Sequence, residues 1–171
     1  PHRTIPPCPH FGRCGGCVLQ HMDAEEQRSF KQQRIADAFS HIGGISAASL
    51  PVLGMEQPLR YRNKGAFPVG SGGTSAQIGL FAARSHRIIP IQDCLLQAPN
   101  TKEILSILYE YLEQFNIPAY CEQTHTGLLR HIVTRHNEKN QWLLCLVSTK
   151  PLPYTDTFAS MLRTVPGYYG L

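Results

Sequence analysis

The chain has 171 residues, of which 42% are hydrophobic and 16% charged, and it carries a net charge of +4 at neutral pH. This composition is typical of a globular domain with a hydrophobic core and excludes a disordered or repeat protein. No apolar run approaches the ~20 residues that cross a membrane, and no signal peptide is evident.

Six cysteines are too few for a disulfide scaffold of this length, and their clustering is more typical of metal binding in a reducing cytosol. We therefore expect a cytoplasmic protein without a membrane partner. The slightly basic balance is compatible with a polyanionic partner but does not require one. Because the sequence starts at Pro1 and stops at Leu171 without an obvious end to the fold, we expect a piece of a longer protein.

Residues 1–21 are predicted to form a loop, since prolines oppose regular structure and glycines permit tight turns. A helix is predicted at Asp23–His41, with capping-box spacing between Asp23 and Glu26. The apolar residues of this helix form a ragged stripe that does not suit one helix–sheet contact. They are Phe30, Ile35, Ala38, Phe39 and Ile42. We expect this stripe to dock on another part of the protein.

Three β runs follow at Leu59–Val69, Ala76–Ala83 and Arg87–Ile91, with a glycine-rich turn at residues 70–73 between the first two. The next helix is predicted at Asn100–Phe115, where apolar residues repeat at helical spacing and Asn100 is positioned to cap.

Two further strands, Leu128–His136 and Gln141–Ser148, flank four polar residues and predict a hairpin. A third helix is predicted at Thr155–Arg163. Adjacent strands with short turns favour an α+β fold in which a mainly antiparallel sheet is combined with about three helices and an N-terminal cysteine-rich loop. We expect residues 1–171 to form one domain.

Cys8, Cys14 and Cys17 lie within ten residues, and Cys94 follows after 76 intervening residues. Four thiolates can hold a tetrahedral zinc ion or an iron–sulfur cluster. Buried cysteines acting as small hydrophobes are the alternative, but a polar loop of glycine and proline does not suit that role. Zinc sites favour two paired C-x2-C turns, and only one such pair occurs here. Three ligands from one loop and a remote fourth are more typical of a cubane cluster, although zinc stays open.

The other two cysteines, Cys121 and Cys145, have no neighbours of this kind and are predicted to be core or strand residues.

Basic residues recur on the predicted strands. On the first strand the cations alternate, so their side chains would share one face about 7 Å apart and could follow the phosphates of RNA. The candidate RNA contacts are Arg60, Arg62, Lys64, Arg130, His131 and Arg135. A solvated sheet face of a slightly basic protein is the alternative.

Several strings together carry a resemblance to a known family. C-P-H-F-G-R-C-G-G-C-V-L-Q-H starts at Cys8, R-Y-R-N-K starts at Arg60 and L-R-H-I-V-T-R starts at Leu129, with Cys94 between the last two. In this order they resemble the cluster-containing RNA (uracil-C5)-methyltransferases, most closely the bacterial 23S rRNA 5-methyluridine enzymes.

The resemblance implies that Cys8, Cys14, Cys17 and Cys94 bind a 4Fe–4S cluster. It also implies methyl transfer from S-adenosylmethionine to C5 of uracil, after a cysteine thiolate has added to C6 and before a base removes the C5 proton. The N-terminal β-barrel domain and the C-terminal methyltransferase domain of such enzymes have no counterpart in this sequence.

We therefore expect no catalytic residue and no S-adenosylmethionine-binding residue here, and we expect the chain alone to be inactive. Its expected partners are RNA, with rRNA favoured over tRNA, and the catalytic domain of the same protein. The alternative is a free-standing four-cysteine module that binds metal or transfers electrons without RNA.

Overall fold

A computed structural model describes residues 3–72 and 76–171 of the chain. The described residues form three α-helices, a π-helical turn and six strands. The helices are α1 (Ala24–Asp37), α2 (Thr101–Gln114) and α3 (Thr155–Leu162), and the π-helical turn is Ala38–Ile42. The strands are β1 (Lys64–Ser71), β2 (Ala76–Phe81), β3 (Ile88–Pro90), β4 (Leu129–His136), β5 (Trp142–Ser148) and β6 (Tyr168–Gly170). The prediction of an α+β fold with about three helices is confirmed.

The six strands form one sheet in the order β3-β2-β1-β4-β5-β6. Neighbours from β3 to β5 are antiparallel, but β6 runs parallel to β5. The prediction of a mainly antiparallel sheet was therefore wrong, since the sheet is mixed. The reason is that α3 carries the chain back along the sheet between β5 and β6, as a crossover to a parallel strand requires. The predicted glycine turn falls partly on residues 73–75, outside the described residues.

The sheet packs its inner face against α2 and α3. Alternate residues of β1, β4 and β5 point inward, among them Phe67, Ile132 and Trp142, each at most 1% exposed. Tyr111 of α2 stacks on Phe158 of α3 with ring centroids 4.2 Å apart. The opposite face of these three strands faces outward. The two faces follow from the twofold alternation of side chains along a strand.

Helix α1 lies outside this core. Asp23 caps it as predicted, since its carboxylate accepts a hydrogen bond from the Glu26 amide at 2.8 Å. No residue of α1 is buried, and Ile35, Phe39 and Ile42 are 41%, 40% and 88% exposed. Docking of this stripe on another part of the protein stays a prediction. No helix in the described ranges is long and apolar enough to cross a membrane.

Two local predictions need correction. The strand predicted at Leu59–Val69 begins only at Lys64, because Arg60 has a φ of +59°, in the left-handed region that interrupts an extended chain. Asn100 does not cap α2 through its side chain, because its own backbone is already helical, with φ −68° and ψ −10°.

Strand β3 leads directly into the segment that carries Cys94, and its pairing with β2 requires a glycine. A Cβ at Gly79 would lie 2.0 Å from the carbonyl oxygen of Ile89. We predict that Gly79→Ala lowers the free energy of unfolding by about 1–3 kcal/mol, or the melting temperature by about 2–12 °C. Thermal denaturation followed by circular dichroism measures this change.

Gly170→Ala is the matched control, because a Cβ at that strand position would meet no atom within 4 Å. Equal melting temperatures for the two variants would contradict the prediction.

Candidate functional site

Tight turns fold the N-terminal segment into a closed loop. The Phe11 amide donates to the Cys8 carbonyl at 3.1 Å, and the Cys14 amide donates to the His10 carbonyl at 3.0 Å. The Thr4 amide donates to the carbonyl of His21 at 3.0 Å and closes the base of the loop. Three cysteine side chains are thereby presented by one short stretch of chain.

The sheet holds this loop at the end of β2. The Gly15 amide donates a hydrogen bond to the Phe81 carbonyl at 2.9 Å. A Cβ at Gly15 would lie 3.1 Å from the Cα of Ala83, so glycine permits the close approach of the two backbones. The loop is therefore positioned next to the β2–β3 hairpin, whose second strand leads to Cys94.

The segment around Cys94 is held by Arg60. Its guanidinium contacts both carboxylate oxygens of Asp93, at 2.7 and 2.6 Å, and also donates to the Cys94 carbonyl at 3.2 Å. The hydrogen bond from Arg60 lowers the pKa of Asp93, so the carboxylate is charged at neutral pH. The amide of Arg60 donates to the Leu95 carbonyl at 2.8 Å. Both the side chain and the backbone of Arg60 thus fix this turn.

The four predicted ligands line one cavity between the loop and this turn. They are Cys8, Cys14, Cys17 and Cys94. Cys14 and Cys94 are buried, each 9% exposed, whereas the other two are partly exposed. All four are free thiols. Apolar side chains complete the wall, including Phe11, Leu80 and Ile91.

The electrostatics of Cys17 show how close these thiols are. Burial raises the pKa of Cys17, and the charges of Cys94, Cys14 and Cys8 raise it further, while Arg62 opposes them. Thiolates in this arrangement therefore repel one another unless a positively charged metal centre binds them. Gln20 adds a hydrogen bond from its amide nitrogen to the sulfur of Cys17 at 3.3 Å.

Over residues 3–72 and 76–171, no group of three or more histidine, cysteine, aspartate or glutamate side chains is arranged to hold a single metal ion. The four cysteine thiols nevertheless line the same cavity.

The remaining cysteines lie elsewhere. Cys145 is on β5 as predicted, but it is exposed on the outer face of the sheet rather than buried. Cys121 is in neither the core nor a named strand. It is partly exposed and forms an isolated bridge with Thr126 across a tight turn before β4.

The three cations predicted to share the face of one strand are separated in the structure. Arg60 is engaged with Asp93, and Arg62 lines the cysteine cavity. Only Lys64 lies on β1, where it is exposed and directly opposite Arg135 of β4. The sequence suggested one stripe because the left-handed backbone at Arg60 is not visible in a pattern of residue types.

The candidates on β4 also differ from one another. Arg130 is exposed, and its guanidinium lies 4.4 Å from the centre of the Tyr120 ring. Burial lowers the pKa of His131, and the charge of Arg130 lowers it further, so this imidazole is neutral at pH 7. Arg135 is exposed. Lys64 and Arg135 therefore supply the positive charge on the outer sheet face, and Arg130 supplies charge at a separate cleft next to Tyr120.

No family model matches the chain. Curated relatives do match it, and they are named as uncharacterized RNA methyltransferases. One from Clostridium tetani is 40% identical over 163 residues, covering 94% of this chain and 35% of the relative. One from Halalkalibacterium halodurans is 36% identical over 95% of this chain and 36% of the relative. The chain thus spans about a third of the length of these relatives.

A solved structure shares the fold. It is the Pyrococcus abyssi tRNA (uracil-54, C5)-methyltransferase in complex with S-adenosyl-L-homocysteine. It superposes with a TM-score of 0.67 at 22% identity, covering 88% of this chain and 35% of that chain. At this identity, the likeness establishes a common fold for most of this chain.

The role of Arg60 can be tested by a conservative change. Arg60→Lys keeps the charge but loses the two-point contact with Asp93. We predict a loss of about 1–2 kcal/mol in the free energy of unfolding, at the low end for charged hydrogen bonds because both side chains are partly exposed. Chemical denaturation measures it.

Arg84→Lys is the matched control, because Arg84 is an exposed arginine that also has a positive φ, of +56°. If both variants lose the same stability, the contact with Asp93 does not account for the effect.

Proposed function

We propose that this chain is the part of an S-adenosylmethionine-dependent RNA (uracil-C5)-methyltransferase that carries a 4Fe–4S cluster and helps to position RNA, with rRNA as the substrate. Three findings support the proposal: the names of the relatives, the fold shared with a uracil-C5 methyltransferase, and the cysteine cavity. The cavity carries most of the argument, because it brings Cys94 together with three thiols of a loop that is distant in sequence.

The donor set fits a cubane cluster. In such a cluster each of the four thiolates binds a different iron, which suits one ligand from the β3 side and three from the loop. Burial of Cys14 and Cys94 among apolar side chains limits access of water and oxygen. When bound, the cluster would supply four iron–sulfur bonds that cross-link the loop to the sheet. We assign it a structural role, in which binding the cluster and folding are coupled.

The parent enzyme would need a nucleophilic cysteine, a general base and a site for S-adenosylmethionine. We assign none of these to residues of this chain, and we propose that the catalytic domain of the same protein supplies them. Residues 1–171 would then act as one domain that braces the enzyme and presents RNA, and this chain alone would have no methyltransferase activity.

Lys64 and Arg135 support the RNA contact. They are directly paired across β1 and β4, and like charges in this position destabilise a sheet. Neither side chain forms an ion pair with another described residue. A phosphate between the two cations would relieve their repulsion, so the pair is suited to an RNA backbone.

The cluster is tested on protein purified without oxygen. We predict a broad absorbance near ~400 nm and about four irons per chain, each thiolate binding its own iron. Iron and zinc analysis by mass spectrometry gives the count. A colourless protein with one zinc per chain would overturn this part of the proposal.

Single cysteine variants test which residues bind the cluster. Cys94→Ser should lose most of the bound iron and lower the melting temperature, because it removes the link between the loop and the sheet. Cys145→Ser is the matched control, because this thiol is exposed on the outer sheet face. Equal iron content in both variants would show that Cys94 is not a ligand.

The RNA contact is tested by the salt dependence of binding. For Lys64→Gln/Arg135→Gln, we predict weaker binding to single-stranded RNA and a slope of log K against log salt that is about 1–2 units shallower. Fluorescence anisotropy at four salt concentrations measures the slope. A chain that holds the cluster but binds no RNA would favour a free-standing metal-binding or electron-transfer module instead.

A further inference from the structure

A second cavity lies apart from the four clustered cysteines and shares no lining residue with the first. Its volume is about 470 Å³, within the ~300–1,000 Å³ typical of small-ligand sites. It opens between the β2–β3 hairpin and the segment that precedes β4. Its side chains include Phe81, His86, Arg87, Tyr120, Glu122 and Arg130. Planar rings and cations thus line one cleft.

The imidazole of His86 is held on one side only. It stacks on Phe81 with ring centroids 5.1 Å apart and an interplanar angle of 21°. Its Nδ1 lies 2.8 Å from a carboxylate oxygen of Glu122, and this contact fixes the rotation of the ring. The His86 side chain is nevertheless 75% exposed, so one face of the fixed ring is open. A fixed ring with an open face is a surface on which a nucleobase can stack.

Two guanidinium groups line the same cleft. The guanidinium of Arg130 lies over the Tyr120 ring, 4.4 Å from its centroid. This contact restrains the orientation of the planar guanidinium and its N–H donors. Arg87 lines the same cleft. The only carboxylate among the six side chains named above is that of Glu122, which is engaged with His86. The cleft thus has two guanidinium groups and one carboxylate, and the carboxylate is already paired with His86. This balance of charge favours binding of an anion such as phosphate.

We propose that this cleft binds one unpaired nucleotide of RNA, with the base stacked on the open face of His86 and the phosphate held by Arg87 and Arg130. The proposal rests on the function proposed above and adds a second point of contact to it. Arg130 and Arg135 are five residues apart on β4, or about 17 Å. One extended RNA strand can therefore occupy the cleft and also reach the Lys64–Arg135 pair.

The test compares two labelled ligands on the full 171-residue chain: an adenosine octamer, and an octamer of the same length in which every base is removed. His86→Ala should weaken binding of the adenosine octamer roughly five- to a hundredfold, the loss expected for one base stack. The same variant should leave binding of the abasic octamer unchanged. Arg130→Gln should weaken binding of both ligands, since it removes a phosphate contact.

Rescue and control variants separate stacking from loss of structure. His86→Phe keeps a planar ring and should restore binding of the adenosine octamer. His41→Ala and Arg163→Gln are matched controls on exposed residues away from the cleft and should change neither affinity. The melting temperature of each variant is measured alongside.

If His86→Ala weakens both ligands equally, or weakens neither, base stacking in the cleft is wrong. If binding depends on Lys64 and Arg135 but not on His86 or Arg130, this inference fails while the proposed RNA contact stands. If the chain binds neither octamer, both fail, and the cleft is left as a site for a different class of partner.

Discussion

The contact of Arg60 with Asp93 and with the carbonyl of Cys94 determines where two distant parts of the chain meet. Arg60 has a left-handed backbone conformation, and its guanidinium contacts Asp93. The turn that carries Cys94 is then fixed next to the N-terminal loop, which the Gly15 amide attaches to the end of β2. The cysteine cavity lies between these two attachments, one at the end of β2 and the other just after β3.

This arrangement separates the cysteine cavity from the basic surfaces of the sheet. The cysteines lie at the β3 side of the sheet, where apolar side chains close the cavity. The Lys64–Arg135 pair lies on the outer face of the central strands, and the His86 cleft is bordered by residues at the turn of the β2–β3 hairpin. A cluster that stiffens the loop and the hairpin would thus also fix the cleft, since Phe81 belongs to both: its carbonyl accepts from Gly15, and its ring supports His86.

Local sequence signals predicted the elements well where a cap residue or a pattern within one short segment determines the conformation. The Asp23 cap, the amphipathic α2 and the β4–β5 hairpin are at or near their predicted positions. Predictions that depended on neighbours distant in sequence were less successful. The Arg60 to Lys64 stripe was wrong because Asp93 engages Arg60, and the sheet type was wrong because α3 returns the chain parallel to β5.

The sequence alone determined which atoms are available for chemistry: four thiols at a spacing suited to a cluster, and cations on two strands. Tertiary structure decided which of them come together, because the folding of the hairpin and the turn at Arg60 place Cys94 beside Cys8, Cys14 and Cys17. It also decided that Tyr120 and Glu122, in an irregular segment without periodicity, meet Arg130 and His86. Such contacts depend on the path of the whole chain, which no local pattern of residue types records.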